Sequence, residues 1–102
     1  MRRVAALKEI LKDNPSDTFA RYGLAMEYSK TGDVDAAMQE FRQLLQQSPD
    51  YTPGYFMAAQ ALARAERTEE ARQMLRDGIA SAVRTNNAHA RSEMEAMLQE
   101  LG

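Results

Sequence analysis

The residue types that could carry chemistry in this chain favour contact over catalysis. His89 is the one histidine, and there is no cysteine. A lone imidazole can act as a base, but nucleophilic catalysis needs a marked hydroxyl or thiol partner beside it. No such partner is signalled, so His89 reads as a structural or surface residue. Carboxylates are plentiful, yet Glu69-Glu70 fits a helix start, and Glu93 and Glu95 fit a solvent face. Gly23, Gly32, Gly54, Gly78 and Gly102 are scattered and form no phosphate-cradling loop. No spacing of ligand types suggests a metal site. The chain is therefore expected not to be an enzyme and to use no cofactor. A formal net charge of -2 supplies no basic face for phosphate backbones, so nucleic acid is not the expected partner. What stands out is apolar and aromatic. Phe19, Tyr22, Met26, Ser29 and Lys30 recur at helical spacing, and Pro53, Phe56, Gln60, Ala63 and Arg64 repeat the pattern further on. Aromatic anchors of this kind supply affinity by burial. The same spacing also suits plain core packing, so Tyr22 and Phe56 read equally well as buried residues, and Lys30 and Arg64 as solvated charges.

Helices must position these stripes. The composition is rich in Ala, Leu, Met, Gln, Glu and Arg, which favour helix, and no segment alternates like a strand. Stops are short: Asp13-Asn14-Pro15-Ser16, Lys30-Thr31-Gly32-Asp33, Ser48-Pro49-Asp50, Ala65-Glu66-Arg67-Thr68 and Thr85-Asn86-Asn87. Pro15 and Pro49 cannot continue a helix. Gly32 suits the left-handed conformation that ends one, Asp33 and Thr68 suit caps, and Pro53 suits a first turn. Six helices are expected near 2–13, 16–30, 34–47, 51–65, 68–84 and 87–101. No stretch approaches the ~18 apolar residues of a membrane span, and Lys8 and Glu9 break the first apolar run too early for a signal peptide. A cytoplasmic location and no membrane partner are expected.

Sliding the sequence by 34 residues lays Leu7 on Phe41 and Leu75, Leu11 on Leu45 and Ile79, Pro15 on Pro49, Tyr22 on Phe56, and Ala25 on Ala59. Lys8, Arg42 and Arg76 also align, as a charged row suited to an outer face. The first copy carries Arg21-x2-Leu24-Ala25-x2-Tyr28, then Ala37-x3-Phe41, then Pro49. The second carries Tyr55-x2-Ala58-Ala59-x2-Leu62, then Ala71-x3-Leu75, with Val83 where the proline would fall. These residues resemble the tetratricopeptide repeat signature, Trp-x2-Leu-Gly-x2-Tyr, Ala-x3-Phe, Pro, from which Arg21 departs most.

The resemblance implies an all-α fold: a right-handed superhelical stack of antiparallel helix pairs, about six helices, in one domain over 1–102. Segment 2–15 would be a second-helix half repeat, 16–49 and 50–83 full repeats, and 86–101 a C-terminal capping helix. Glu93 stands where a small residue would pack. The resemblance also implies a protein-binding role. In that family the first helices of the repeats line a concave surface that holds peptides. Carried over, the groove is Phe19, Tyr22, Met26, Lys30, Phe56, Gln60 and Arg64. One subtype of the family clamps acidic chaperone tails with Lys, Asn and Arg. Here Tyr22, Met26 and Met57 occupy positions where Lys or Asn would stand, and Arg91 alone has a suitable type. The expected partner is therefore a protein or peptide bound through apolar side chains. The alternative is homo-oligomerisation, as a homodimer formed through the Val4, Leu7, Ile10 and Leu11 stripe of the first helix.

Overall fold

A computed structural model of the protein describes residues 2–102. They form six α-helices and no strand: α1 Arg2–Asp13, α2 Thr18–Lys30, α3 Val34–Gln47, α4 Thr52–Arg64, α5 Thr68–Arg84 and α6 Ala88–Leu101. Helix α2 begins two residues later than the proline signal suggests. The Asp17 carboxylate accepts from the Ala20 N–H at 2.9 Å, and this cap sets the true start. Asp33 and Asn87 cap α3 and α6 in the same way. Thr68 is not the cap of α5. It is the first helical residue, behind Arg67, whose side chain makes no capping bond. Tyr51 likewise precedes α4 without capping it.

The turns show why the helices stop where they do. Gly32 has φ +83°, as a helix-ending glycine should, and the matching turn places Glu66 at φ 63° without a glycine's freedom. Pro49 follows the end of α3 at Gln47. Val83 stands at the matching place in α5 and imposes no stop, so α5 runs 17 residues against 14 for α3 and ends at a left-handed Asn86. The extra length displaces α6 by two residues from the 34-residue register, because N-caps fall at 17, 51 and 87. In that corrected register Met94 follows Leu24 and Ala58 as a buried residue. Glu95, not Glu93, takes the place of Ala25 and Ala59. Glu95 is exposed and ion-pairs with Arg91 at 3.4 Å, so this face of α6 is polar.

Helices adjacent in sequence pack against each other. In addition α2 meets α4 and α4 meets α6, whereas the backbones of α1, α3 and α5 stay apart among the described residues. The difference curves the stack, with α2, α4 and α6 on the inner side and α1, α3 and α5 on the outer. Small residues permit the approach: Ala25, Ala37, Ala58, Ala59 and Ala71 are fully buried. Phe41, Met38, Leu44, Leu62 and Leu75 fill the space between, each worth about 1.5–3 kcal/mol on burial. Gly78 marks the tightest point, since a Cβ there would lie 2.6 Å from Tyr55 Cβ and 2.5 Å from Met94 Sδ. No described helix is long and apolar enough to cross a membrane.

Candidate protein-binding face

The repeated stripe residues all lie on α2 and α4, in the inner layer. Phe19 is 79% exposed in the first turn of α2, although its neighbour Ala20 is buried. Tyr22 is half-buried. Its ring meets Tyr51 edge-on at 5.3 Å and 63°, and Phe41 at 6.5 Å and 69°. Burial raises the Tyr22 hydroxyl above the ordinary tyrosine value of 10.0, and Tyr51 adds to the rise. Met26 is half-buried against the central core. Phe56 and Gln60 are half-buried in α4. Tyr22 and Phe56 each pack on the core with one side and remain accessible on the other, whereas Phe19 is left largely uncovered. Lys30 and Arg64 are exposed at the ends of their helices. Arg64 is more than a solvated charge, because it donates to Ser29 Oγ at 2.7 Å and ties α4 to α2. Lys8, Arg42 and Arg76 are exposed, as an outer row should be.

The face has two junctions of the same design. Between α2 and α4, Tyr22 is covered by Tyr51. Between α4 and α6, Phe56 stands in the place of Tyr22, and Asn87 in that of Tyr51. There a hollow of about 220 Å³ opens, lined by Pro53, Phe56, Asn87, Ala90, Glu93 and Met94 together with Thr52 and His89. His89 is highly exposed at its rim, 3.3 Å from Glu93. Residues 87–94 escape a reading at a fixed 34-residue offset. Laying Asn87 on Tyr51 and Asp17, as residues preceding helices, is the signal that finds them.

The sides of α2 and α4 turned toward the outer layer have their own junction chemistry. Arg21, the sharpest departure from the repeat signature, is only 7% exposed. Its guanidinium donates to the Pro15 carbonyl at 2.9 Å and to Glu40 Oε1 at 2.7 Å. Among the described residues its Nε is the buried side-chain nitrogen without a partner. Tyr55, in the same place on α4, donates from its hydroxyl to the Pro49 carbonyl at 2.6 Å. At α1, Val4 and Leu11 are buried under Ala20 and Leu24 of α2, with Leu7 packed beside them. Ile10 stays 46% exposed.

Comparison with known proteins bears on this architecture directly. A family model described as tetratricopeptide repeat matches residues 28–98. The chain belongs to the tetratricopeptide repeat family. It is 26% identical over 98 residues to a TPR repeat-containing protein of Pseudomonas aeruginosa, covering 96% of this chain and 93% of that one. Among solved structures it is similar to a tetratricopeptide repeat domain protein of Salinibacter ruber, with TM-score 0.78, 28% identity, and 86% and 89% of the two chains covered. It also shares its fold with the TPR2B domain in a TPR2B–pHsp70 complex of yeast Sti1, with TM-score 0.87 at 18% identity, over 96% of this chain and 78% of that one. Tetratricopeptide repeats are generally protein–protein interaction modules and typically non-enzymatic.

Proposed function

We propose that this tetratricopeptide repeat chain holds a segment of another protein along the inner face of α2, α4 and α6. The reading takes residues 1–102 as one domain: a half repeat at 2–15, repeats at 16–49 and 50–83, and a capping helix over 86–101. Its location is cytoplasmic, and neither nucleic acid nor a membrane is its partner. The observation that carries the reading is incomplete coverage of apolar side chains on the inner layer. Phe19 is 79% exposed, and Tyr22, Met26 and Phe56 are half-buried beside the half-buried Gln60, on helices that bury Leu24, Ala25, Ala58, Ala59 and Leu62. Burying such rings under a partner would supply most of the affinity. The Sti1 domain complexed with pHsp70 supports the use of this fold for holding a protein ligand, as a fold-level analogy. The ligand differs in chemistry from an acidic chaperone tail, because Tyr22, Met26 and Met57 stand where the clamp's Lys and Asn would be. An acidic residue of the segment would meet Lys30 and Arg64 at one edge. Self-association through α1 is the weaker reading, since Val4 and Leu11 are already covered.

The test is capture of partners from the native cell extract by the wild-type chain and by a Tyr22→Ala/Phe56→Ala variant, with helicity checked in both. A partner retained by the wild type and lost by the folded variant supports the groove. A partner held equally by both places binding elsewhere.

A further inference from the structure

We infer that the hollow between α4 and α6 is a socket for one aromatic side chain of the bound segment. The inference rests on the groove reading above and adds the chemistry of the anchor. The protein supplies its own template. At the α2–α4 junction the ring on the inner helix, Tyr22, is met edge-on by Tyr51, the residue just before the next helix. At the α4–α6 junction the ring is Phe56, and the residue before the next helix is Asn87, which has no ring to offer. The side chain of Asn87 is committed instead to capping α6 through the Ala90 N–H at 3.0 Å. What opens beside Phe56 and Asn87 is the hollow of about 220 Å³.

Size selects the occupant. An apolar cavity of about 150 Å³ suffices for benzene, whereas drug-sized ligands take about 300–1,000 Å³. One ring fits, and a nucleotide or an extended cofactor does not. The lining suits a ring as well. Phe56 offers an edge-to-face partner, the buried Met94 an apolar floor, and Pro53 and Ala90 apolar walls. Glu93 on the rim adds a charge preference. It favours a basic residue beside the aromatic one and disfavours an acidic one.

The test uses the full chain, with N-acetyl-phenylalaninamide as the probe and N-acetyl-alaninamide as its control, followed by NMR. The socket predicts saturable millimolar binding of the phenylalanine probe, with ring-current shifts at the methyl groups of Met94 and Ala90, and none with the alanine control. Asn87→Tyr would fill the hollow from within, as Tyr51 does at the other junction, but it removes a cap. Ala90→Leu fills it with the cap intact. Each should weaken the probe at least about tenfold in a chain whose amide spectrum stays dispersed. Unmoved Met94 and Ala90 methyls, equal shifts with the control, or binding unaffected by both variants would overturn the socket. Peptides selected from a random library separate this failure from that of the groove. Peptides that perturb Tyr22 and Met26 but bind equally after their aromatic residues become alanine remove the socket and keep the groove. Peptides that perturb neither face of this site remove both. Peptides that lose binding with their aromatic residue, or with Asn87→Tyr, support the socket.

Discussion

The α2–α3 and α4–α5 hairpins solve one backbone problem with opposite chemistries. Each inner helix must satisfy the carbonyl of the proline that follows the preceding outer helix. In the first hairpin Arg21 does so at Pro15 and is itself neutralised by Glu40 on α3. In the second, Tyr55 does so at Pro49 at 2.6 Å, with Arg84 of α5 adding a longer bond to the same carbonyl at 3.3 Å, and Met74 stands on α5 where α3 has Glu40, packed against the cluster that contains Tyr55. The difference teaches that the signature position of the repeat asks for a buried donor of the right reach, and that a cation or a phenol serves if its neighbour matches. A buried pair made this way is strong evidence of coupling and weak evidence of stability, since desolvation offsets much of the attraction.

Breaking the pair should have the largest effect. Arg21→Ala leaves Glu40 without its partner and should destabilise the chain by about 3–5 kcal/mol in urea unfolding. Arg21→Tyr/Glu40→Met, which copies Tyr55 and Met74 of the second hairpin, should return to within about 1 kcal/mol of the wild type or exceed it. Equal losses in both variants would mean that the two hairpins are not interchangeable here. The second hairpin has its own point of no tolerance. Gly78 stands where α3 carries Leu44, and the added Cβ of Gly78→Ala would press on Tyr55 and Met94. The expected loss is about 1–3 kcal/mol, read by thermal melting. By contrast, at Gly23 an added Cβ would only touch the Leu7 methyls at 3.4 Å. Gly23→Ala should be neutral or gain up to about 1 kcal/mol from helix propensity.

The inner-to-outer turns provide a smaller contrast. Gly32 accepts its positive φ freely, whereas Glu66 does not. Glu66→Gly should stabilise by about 1 kcal/mol, and Gly32→Ala should cost a similar amount, both from denaturation midpoints. Alkali gives the smallest effect. Burial is the main cause that raises both Tyr22 and Tyr55 above 10.0. A folded value above the unfolded one means that their contribution is complete below pH 10 and is lost as pH rises through the raised folded values. Tyrosinate absorbance should show these two titrating later than exposed tyrosine, with melting temperature falling over the same range.

Much of this was legible in the sequence because its punctuation is local. Pro15, Pro49 and Gly32 mark ends by their own stereochemistry, and Leu7, Phe41 and Leu75 expose the period. The rest depended on relations that no short window contains. Asp17 moved the start of α2 by capping it from outside the apolar pattern. Val83 let α5 run on, so a fixed offset misaligned α6 and concealed that Met94, His89 and Ala90 face Phe56. Arg21 looked like a defect because its partner Glu40 lies 19 positions away on another helix. Glu66 turned left-handed without the glycine that would have announced it. The stripe of Phe19, Tyr22, Met26, Phe56 and Gln60 was readable as a stripe. Its half-burial was not, since that depends on how Tyr51 covers one ring and Asn87 leaves the other open.

The most direct test of a protein-binding inner face is amide and methyl shift mapping of the labelled chain, titrated with a partner segment obtained by capture. Occupancy of the face predicts the largest perturbations at Phe19, Tyr22, Met26, Phe56 and Gln60, with Lys8, Arg42 and Arg76 unmoved. Perturbations centred on that outer row, with the inner residues silent, would contradict the account.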